Sequence, residues 1–258
     1  MTVHLIESDD VTYLGFHMGY LQELPRRIES FKIRLGLVPA ADYGKYREPA
    51  LDAVVADARS GSTVWTSTAE QLRSLHRDTD RTLSDLIKLI AATPSPDALK
   101  GVTDELGRHG ERFDQMRTEC VRVVECAARV IPRFIDFMNT RTFEYAKRKN
   151  LLTGATSPTL PDTLNRMLTD EENLGSAIAT VEWNYRSFNT VLLCAGNMGA
   201  YCSRLYSLLG TTRQQLAAID SREPARRQQV GYQSAASSAL EAQRLIKYTT
   251  DNILRYSF

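Results

Sequence analysis

Apolar residues recur every seven positions from about Pro161 to Ile219, without a miss for eight repeats. A seven-residue repeat places an apolar strip along one side of an α-helix and is typical of coiled-coil packing. At about 1.5 Å per residue such a helix is roughly 85–90 Å long. Its apolar strip is narrow, so the pattern predicts one rod within a bundle of helices. The repeating positions are Met167, Leu174, Val181, Phe188, Ala195, Cys202, Leu209 and Leu216.

A companion apolar series lies one helical turn before members of this strip, and Glu171 and Gly199 interrupt it. Its members are Leu164, Ile178, Tyr185, Leu192 and Tyr206. Within the same helix, the segment Val191–Cys202 is apolar on nearly all sides. We interpret it as the most buried part of the helix, with Gly196, Gly199 and Ala200 letting neighbouring backbones approach closely. The alternative is a membrane-inserting segment that a trigger releases, as in helical pore-forming toxins.

Similar periodicity predicts helices over roughly 9–37, 43–92, 96–149, 161–219 and 223–257. Proline is expected to kink or divide two of them, at Pro25 and Pro132. No strand pattern competes after residue 8, and short turns favour antiparallel neighbours. The predicted fold is all-α: an elongated antiparallel bundle of about five long, kinked, coiled-coil-like helices in one domain, 1–258.

Composition and charge exclude several classes of function. The chain has 258 residues, 43% of them hydrophobic, with a formal net charge of +1. Dedicated nucleic-acid binders usually carry a basic surplus, so no nucleic-acid partner is expected. The N-terminus lacks the basic and apolar regions of a Sec signal peptide, and no window of about 18 apolar residues occurs. The expected location is cytoplasmic, with secretion by another route as the alternative.

No motif indicates catalysis, metal binding or a cofactor. The four cysteines lack the spacing of zinc or redox sites and are predicted to be buried apolar residues. Glu105, His109 and Glu111 match no helical metal motif. We expect His76 and His109 to be hydrogen-bonded on bundle-facing strips. Because no nucleophile elbow or phosphate loop occurs either, the protein is predicted not to be an enzyme.

Two further groups of residues are candidates for contacts with other molecules. The first would lie at one tip of the bundle, where three cations beside two leucines suit a weak contact with anionic lipid: Lys147, Arg148, Lys149, Leu151 and Leu152. The same cations would also complement the helix dipole. The second is a set of aromatic residues near the C-terminus that would dock on the bundle itself or on a second copy: Tyr232, Tyr248, Tyr256 and Phe258.

The pattern therefore favours a function of shape rather than chemistry. The first hypothesis is a non-enzymatic scaffold that self-associates and contacts a membrane or a protein partner. In outline, long proline-kinked helices with a basic tip resemble membrane-curvature (BAR-type) domains. The second hypothesis is a pore-forming or translocator-type component that inserts Val191–Cys202. The third is a monomeric protein-binding module.

Overall fold

The computed structural model describes residues 10, 23, 26, 49–92, 96–148, 172–219, 222 and 224–251. These residues form four long helices and, within the described ranges, no strand. The prediction of an all-α bundle of long helices is confirmed. The helices are α1 (Pro49–Ala91), α2 (Pro96–Arg148), α3 (Glu172–Ala217) and α4 (Ala225–Thr249).

Proline marks the start of three of the four helices. Pro49 and Pro96 are the first residues of α1 and α2, and Pro224 immediately precedes α4 with φ −54°. Proline suits the first helical turn because its missing N–H would have no partner there. The interior Pro132 lies within α2, which continues through it. The predicted kinks stay predictions. Most of the predicted helix 9–37 lies outside the described residues.

The chain forms two compact units. Unit 1 contains Met1–Gly15, Val64–Arg122 and Leu193–Phe258, and unit 2 contains Phe16–Thr63 and Val123–Leu192. The unit boundaries fall inside α1, α2 and α3. The prediction of a single domain over 1–258 stays a prediction.

Unit 1 is a four-helix bundle with up-down-up-down topology. Along each neighbouring pair of helices, contacts move to lower residue numbers on one helix as they move to higher numbers on the other. Each pair is therefore antiparallel, with α1 and α3 diagonal to each other. The contacts that define this arrangement are Thr68–Glu119 and Thr82–Glu105 for α1–α2, Cys120–Gly199 and Gly107–Arg213 for α2–α3, Arg204–Glu241 and Gln215–Ser234 for α3–α4, and His76–Thr250 and Ser84–Gln243 for α1–α4.

The core of unit 1 follows the seven-residue repeats. Buried side chains recur with a seven-residue spacing along each helix, which removes a continuous apolar strip from water. The buried members are Leu72, Thr79 and Leu86 with His76 and Leu83 on α1, Leu106, Phe113, Cys120 and Met116 on α2, Ala195, Cys202, Leu209 and Leu216 on α3, and Tyr232, Ala239 and Ile246 on α4.

The described residues of the companion series on α3 are not fully buried. Tyr206 is 47% exposed, and Leu192 is half-buried. Residues three positions after the repeat are buried instead, such as Met198 and Leu205. A seven-residue series can be flanked on either side, and the positions of α2 and α4 decide which flank is covered. That choice is tertiary, so the repeat alone does not contain it.

In unit 2, α1 and α2 are also antiparallel neighbours. The guanidinium of Arg129 donates to both carboxylate oxygens of Asp57 at 3.3 Å. A Cβ at Gly61 would lie 3.2 Å from the Cβ of Cys126. Gly61 therefore allows the two helices to approach closely at this level.

Candidate functional site

The apolar segment Val191–Cys202 presents one face to the protein core. Its buried residues include Cys194, Met198 and Tyr201, whereas Leu193 is 65% exposed. Gly196 and Ala200 are also exposed. The prediction that this part of α3 is deeply buried is confirmed for one face of the helix. The other face consists mainly of small side chains.

Two side chains in the segment carry strong hydrogen-bonding groups, and each bonds to a different part of unit 1. Asn197 Nδ2 donates to Asp10 Oδ1 at 2.9 Å. A hydrogen bond of 2.9 Å joins Tyr201 Oη and His76 Nε2. Asp10 is itself buried and Tyr201 is fully so. Because buried polar groups need partners, these bonds fix the position of α3 relative to Asp10 and to α1.

His76, Tyr201 of α3 and Thr250, just after α4, form a polar layer that packs against Phe113 of α2. The other ring nitrogen of His76, Nδ1, lies 3.3 Å from Thr250 Oγ1. Phe113 of α2 stands tilted to the imidazole, with the ring centroids 6.0 Å apart, and the Tyr201 ring packs edge-on at 5.6 Å. The expectation of a hydrogen-bonded, bundle-facing His76 is confirmed.

This layer is polar but uncharged. Burial lowers the pKa of His76 to about 3, so the ring is neutral at physiological pH. Burial also raises the pKa of Tyr201 well above its usual value, which keeps the hydroxyl protonated. A neutral imidazole has one donor and one acceptor nitrogen, and the two hydroxyl partners match that requirement. The arrangement suits holding helices together rather than transferring protons.

The glycines of the segment differ in their surroundings. A Cβ at Gly199 would lie 3.5 Å from the Cβ of Cys120, so α2 and α3 approach closely there as predicted. Around Gly196, in contrast, nothing lies within 4 Å of such a Cβ. The prediction of a close approach at Gly196 is therefore wrong, because this position faces away from the neighbouring helices.

A groove of about 420 Å³ runs between α2 and α3 in unit 1. Glycines on both helices leave room for it. A Cβ at Gly110 would lie 3.7 Å from Cδ2 of Tyr206. The guanidinium of Arg213 lies across Gly107, where a Cβ would be 2.7 Å from Cζ. The groove is open to solvent and lined by both polar and apolar side chains. The half-exposed Tyr206 forms part of its wall.

Comparison with known proteins finds similarity in structure but not in sequence. No family description and no curated protein matches the chain. XaxA from Xenorhabdus nematophila superimposes with a TM-score of 0.55 at 9% identity, over 96% of this chain and 97% of that one. The XaxAB pore complex from the same organism gives a TM-score of 0.58, also at 9% identity and over the same shares of the two chains. This chain has the fold of XaxA.

The residues predicted to contact other molecules are only partly described. Lys147 and Arg148 form the end of α2, while Lys149, Leu151 and Leu152 lie outside the described residues. Tyr232 is buried in unit 1, and Tyr248 is 36% exposed. Tyr256 and Phe258 lie outside the described residues as well. The tip contact and the aromatic interface stay predictions.

Within the part of the chain that the structure describes, no group of three metal-binding side chains occurs. His109 Nε2 instead lies 3.1 Å from Thr82 Oγ1, which also donates to Glu105 at 3.3 Å. All four cysteines are free and buried, as predicted. Among the described helices, none is long and apolar enough to cross a membrane.

Sequence reasoning did not predict the polar layer or the pairing within it. His76 was assigned to a bundle-facing strip, and Tyr201 belongs to the apolar segment of α3. Their hydrogen bond joins diagonal helices 125 residues apart in sequence. The available signal was the presence of His76 and Thr79 at core positions of α1, because a buried polar side chain requires a partner somewhere in the bundle.

Proposed function

We propose that this chain is a non-enzymatic subunit of a helical, pore-forming assembly. The observation that carries the proposal is the likeness to XaxA and to the XaxAB pore complex, which extends over 96% of the chain. It favours the pore-forming hypothesis over a scaffold or a monomeric binding module. The same likeness supports the expected self-association, with further copies of the chain completing the assembly.

Two parts of this chain are candidates for contact with the membrane. One is the tip at residues 147–152, where cations and leucines suit an anionic surface. The other is Val191–Cys202, which is apolar but spans only about 18 Å as a helix. The hydrocarbon core of a bilayer is about 30 Å thick, so this segment would have to act together with other helices or copies.

Dye release from liposomes tests the proposal directly. Vesicles of phosphatidylcholine and phosphatidylserine are loaded with a quenched dye and mixed with the purified protein, while light scattering follows its mass. A pore-forming subunit releases dye and forms particles heavier than one chain. A protein that binds or self-associates without releasing dye is a scaffold, and that result would overturn the proposal.

A disulfide between α2 and α3 tests whether Val191–Cys202 leaves the bundle. Gly199→Cys places a thiol opposite the native Cys120, and the Cβ separation of 3.5 Å fits a disulfide. Gly196→Cys is the matched control, because nothing lies within 4 Å of its Cβ. If the segment inserts, oxidised Gly199→Cys releases no dye and reduction restores release, while the control is indifferent to reduction. Peptide mass spectrometry verifies the 120–199 bond.

The tip is tested by charge reversal. Lys147→Glu combined with Lys149→Glu is expected to weaken co-sedimentation with anionic liposomes, most strongly at low salt, where charge attraction is least screened. Binding and dye release equal to those of the wild type would remove the tip from consideration. If the charge-reversed protein and oxidised Gly199→Cys both release dye at the wild-type rate, neither the tip nor Val191–Cys202 inserts.

A further inference from the structure

The segment Val191–Cys202 is held in the bundle by two side chains that do not fit its apolar character. We infer that the hydrogen bonds from Asn197 to Asp10 and between Tyr201 and His76 form a latch that retains this segment, and that breaking them releases it. The consequence of release for the membrane rests on the proposed function. The retention itself is a property of the folded chain alone.

The bundle core and a lipid bilayer are alike for apolar side chains but differ for polar ones. Apolar residues such as Met198 and Leu205 are buried in unit 1. A lipid bilayer is as apolar as the bundle core, so their burial barely distinguishes the two. Asn197 and Tyr201 do distinguish them. Their polar groups have partners in unit 1, whereas in hydrocarbon they would be left without any.

The positions of the partners make the latch specific to the closed bundle. Asp10 belongs to the N-terminal part of unit 1, and His76 lies on α1, diagonal to α3. Asn197 and Tyr201 are four residues apart, so they lie on neighbouring positions of one helix face. Outward movement of α3 at this level would break both bonds. It would also remove one hydrogen bond from His76 and one from Asp10, which are both buried, and this loss opposes the movement.

Native cysteines report on this movement without any added label site. Cys194 and Cys202 are buried within the segment, and Cys126 is buried on α2 in unit 2. A thiol reagent reaches a buried cysteine only when the structure around it opens. Labelling at Cys194 and Cys202, measured against Cys126 by peptide mass spectrometry, therefore separates release of the segment from unfolding of the whole chain.

The experiment compares two latch variants with a matched control. Tyr201→Phe and Asn197→Leu each remove one hydrogen bond, and Tyr206→Phe makes the same chemical change as the first at an exposed position of α3. Each latch variant is expected to accelerate maleimide labelling of Cys194 and Cys202 by roughly tenfold, since a buried partner loses one hydrogen bond. Labelling of Cys126 should stay at the wild-type rate, and Tyr206→Phe should resemble the wild type.

The outcomes separate the latch from the proposed function. Labelling of Tyr201→Phe and Asn197→Leu at the rate of Tyr206→Phe would overturn the latch. Equal acceleration at Cys126 would also overturn it, because the whole chain would then be opening. Faster labelling together with faster dye release supports the latch as a control on pore formation. Faster labelling in a protein that never releases dye, even as the wild type, would contradict the proposed function but leave the latch standing.

Discussion

Replacing His76 with glutamine is expected to remove an acid-sensitive part of the protein's stability. Burial lowers the pKa of His76 from 6.5 to about 3 in the folded chain. Between those two pH values the unfolded chain binds a proton that the folded chain does not. The stability that comes from keeping this ring neutral is therefore fully present above about pH 6.5, and it is lost as the pH falls towards 3.

The magnitude follows from the width of that window. Each pH unit within it lowers the free energy of unfolding by about 1.4 kcal/mol. From pH 7 to pH 5, allowing for partial protonation near the upper limit, His76 should remove about 2 kcal/mol. Glutamine can accept one hydrogen bond and donate another, as the neutral imidazole does towards Tyr201 and Thr250, but it does not titrate.

Urea unfolding followed by far-UV circular dichroism measures this effect at the two pH values. The wild type should lose about 2 kcal/mol more than His76→Gln between pH 7 and pH 5. The control is His109→Gln, which should change the acid loss less. Burial lowers the pKa of His109 too, but this histidine is only half-buried and nearby Glu105 and Asp78 oppose the shift. Parallel pH dependence of the wild type and His76→Gln would refute the reasoning.

Two further predictions concern packing in unit 1. Phe113→Ala should destabilise the protein by about 3–5 kcal/mol in urea unfolding, because it opens a cavity at a fully buried position; Val121→Ala, at an exposed position of the same helix, should change stability by less than about 0.5 kcal/mol. Gly196→Ala should raise the melting temperature, since alanine favours a helix by about 1 kcal/mol and nothing obstructs its Cβ. Gly231→Ala should lack this gain, because its Cβ would lie 2.8 Å from Ile219 Cγ1; an equal rise in both variants would contradict the packing argument.

The seven-residue repeats were sufficient to predict the all-α fold and the strips that face the core. Ala195, Cys202 and Leu209 are buried where the repeat of α3 placed them. The repeats were not sufficient to choose the flank that is covered on α3, where Tyr206 is exposed and Leu205 is buried. Periodicity describes one helix at a time, whereas the covered flank depends on two neighbouring helices. The pairing of His76 with Tyr201 was missed for the same reason.

The likeness to XaxA at 9% identity is a likeness of fold. Side chains differ almost everywhere, so what the two chains have in common is the arrangement of long amphipathic helices. The function therefore has to be tested through the polar residues that this chain places in its apolar core. Leucine would satisfy the core positions of His76 and Tyr201 without any hydrogen bond. The polar pair instead requires α1 and α3 to meet at one level, because sliding either helix would break the hydrogen bond between two buried groups. That requirement makes the closed bundle of unit 1 a specific state, and it is this state that the proposed function requires to open on a membrane.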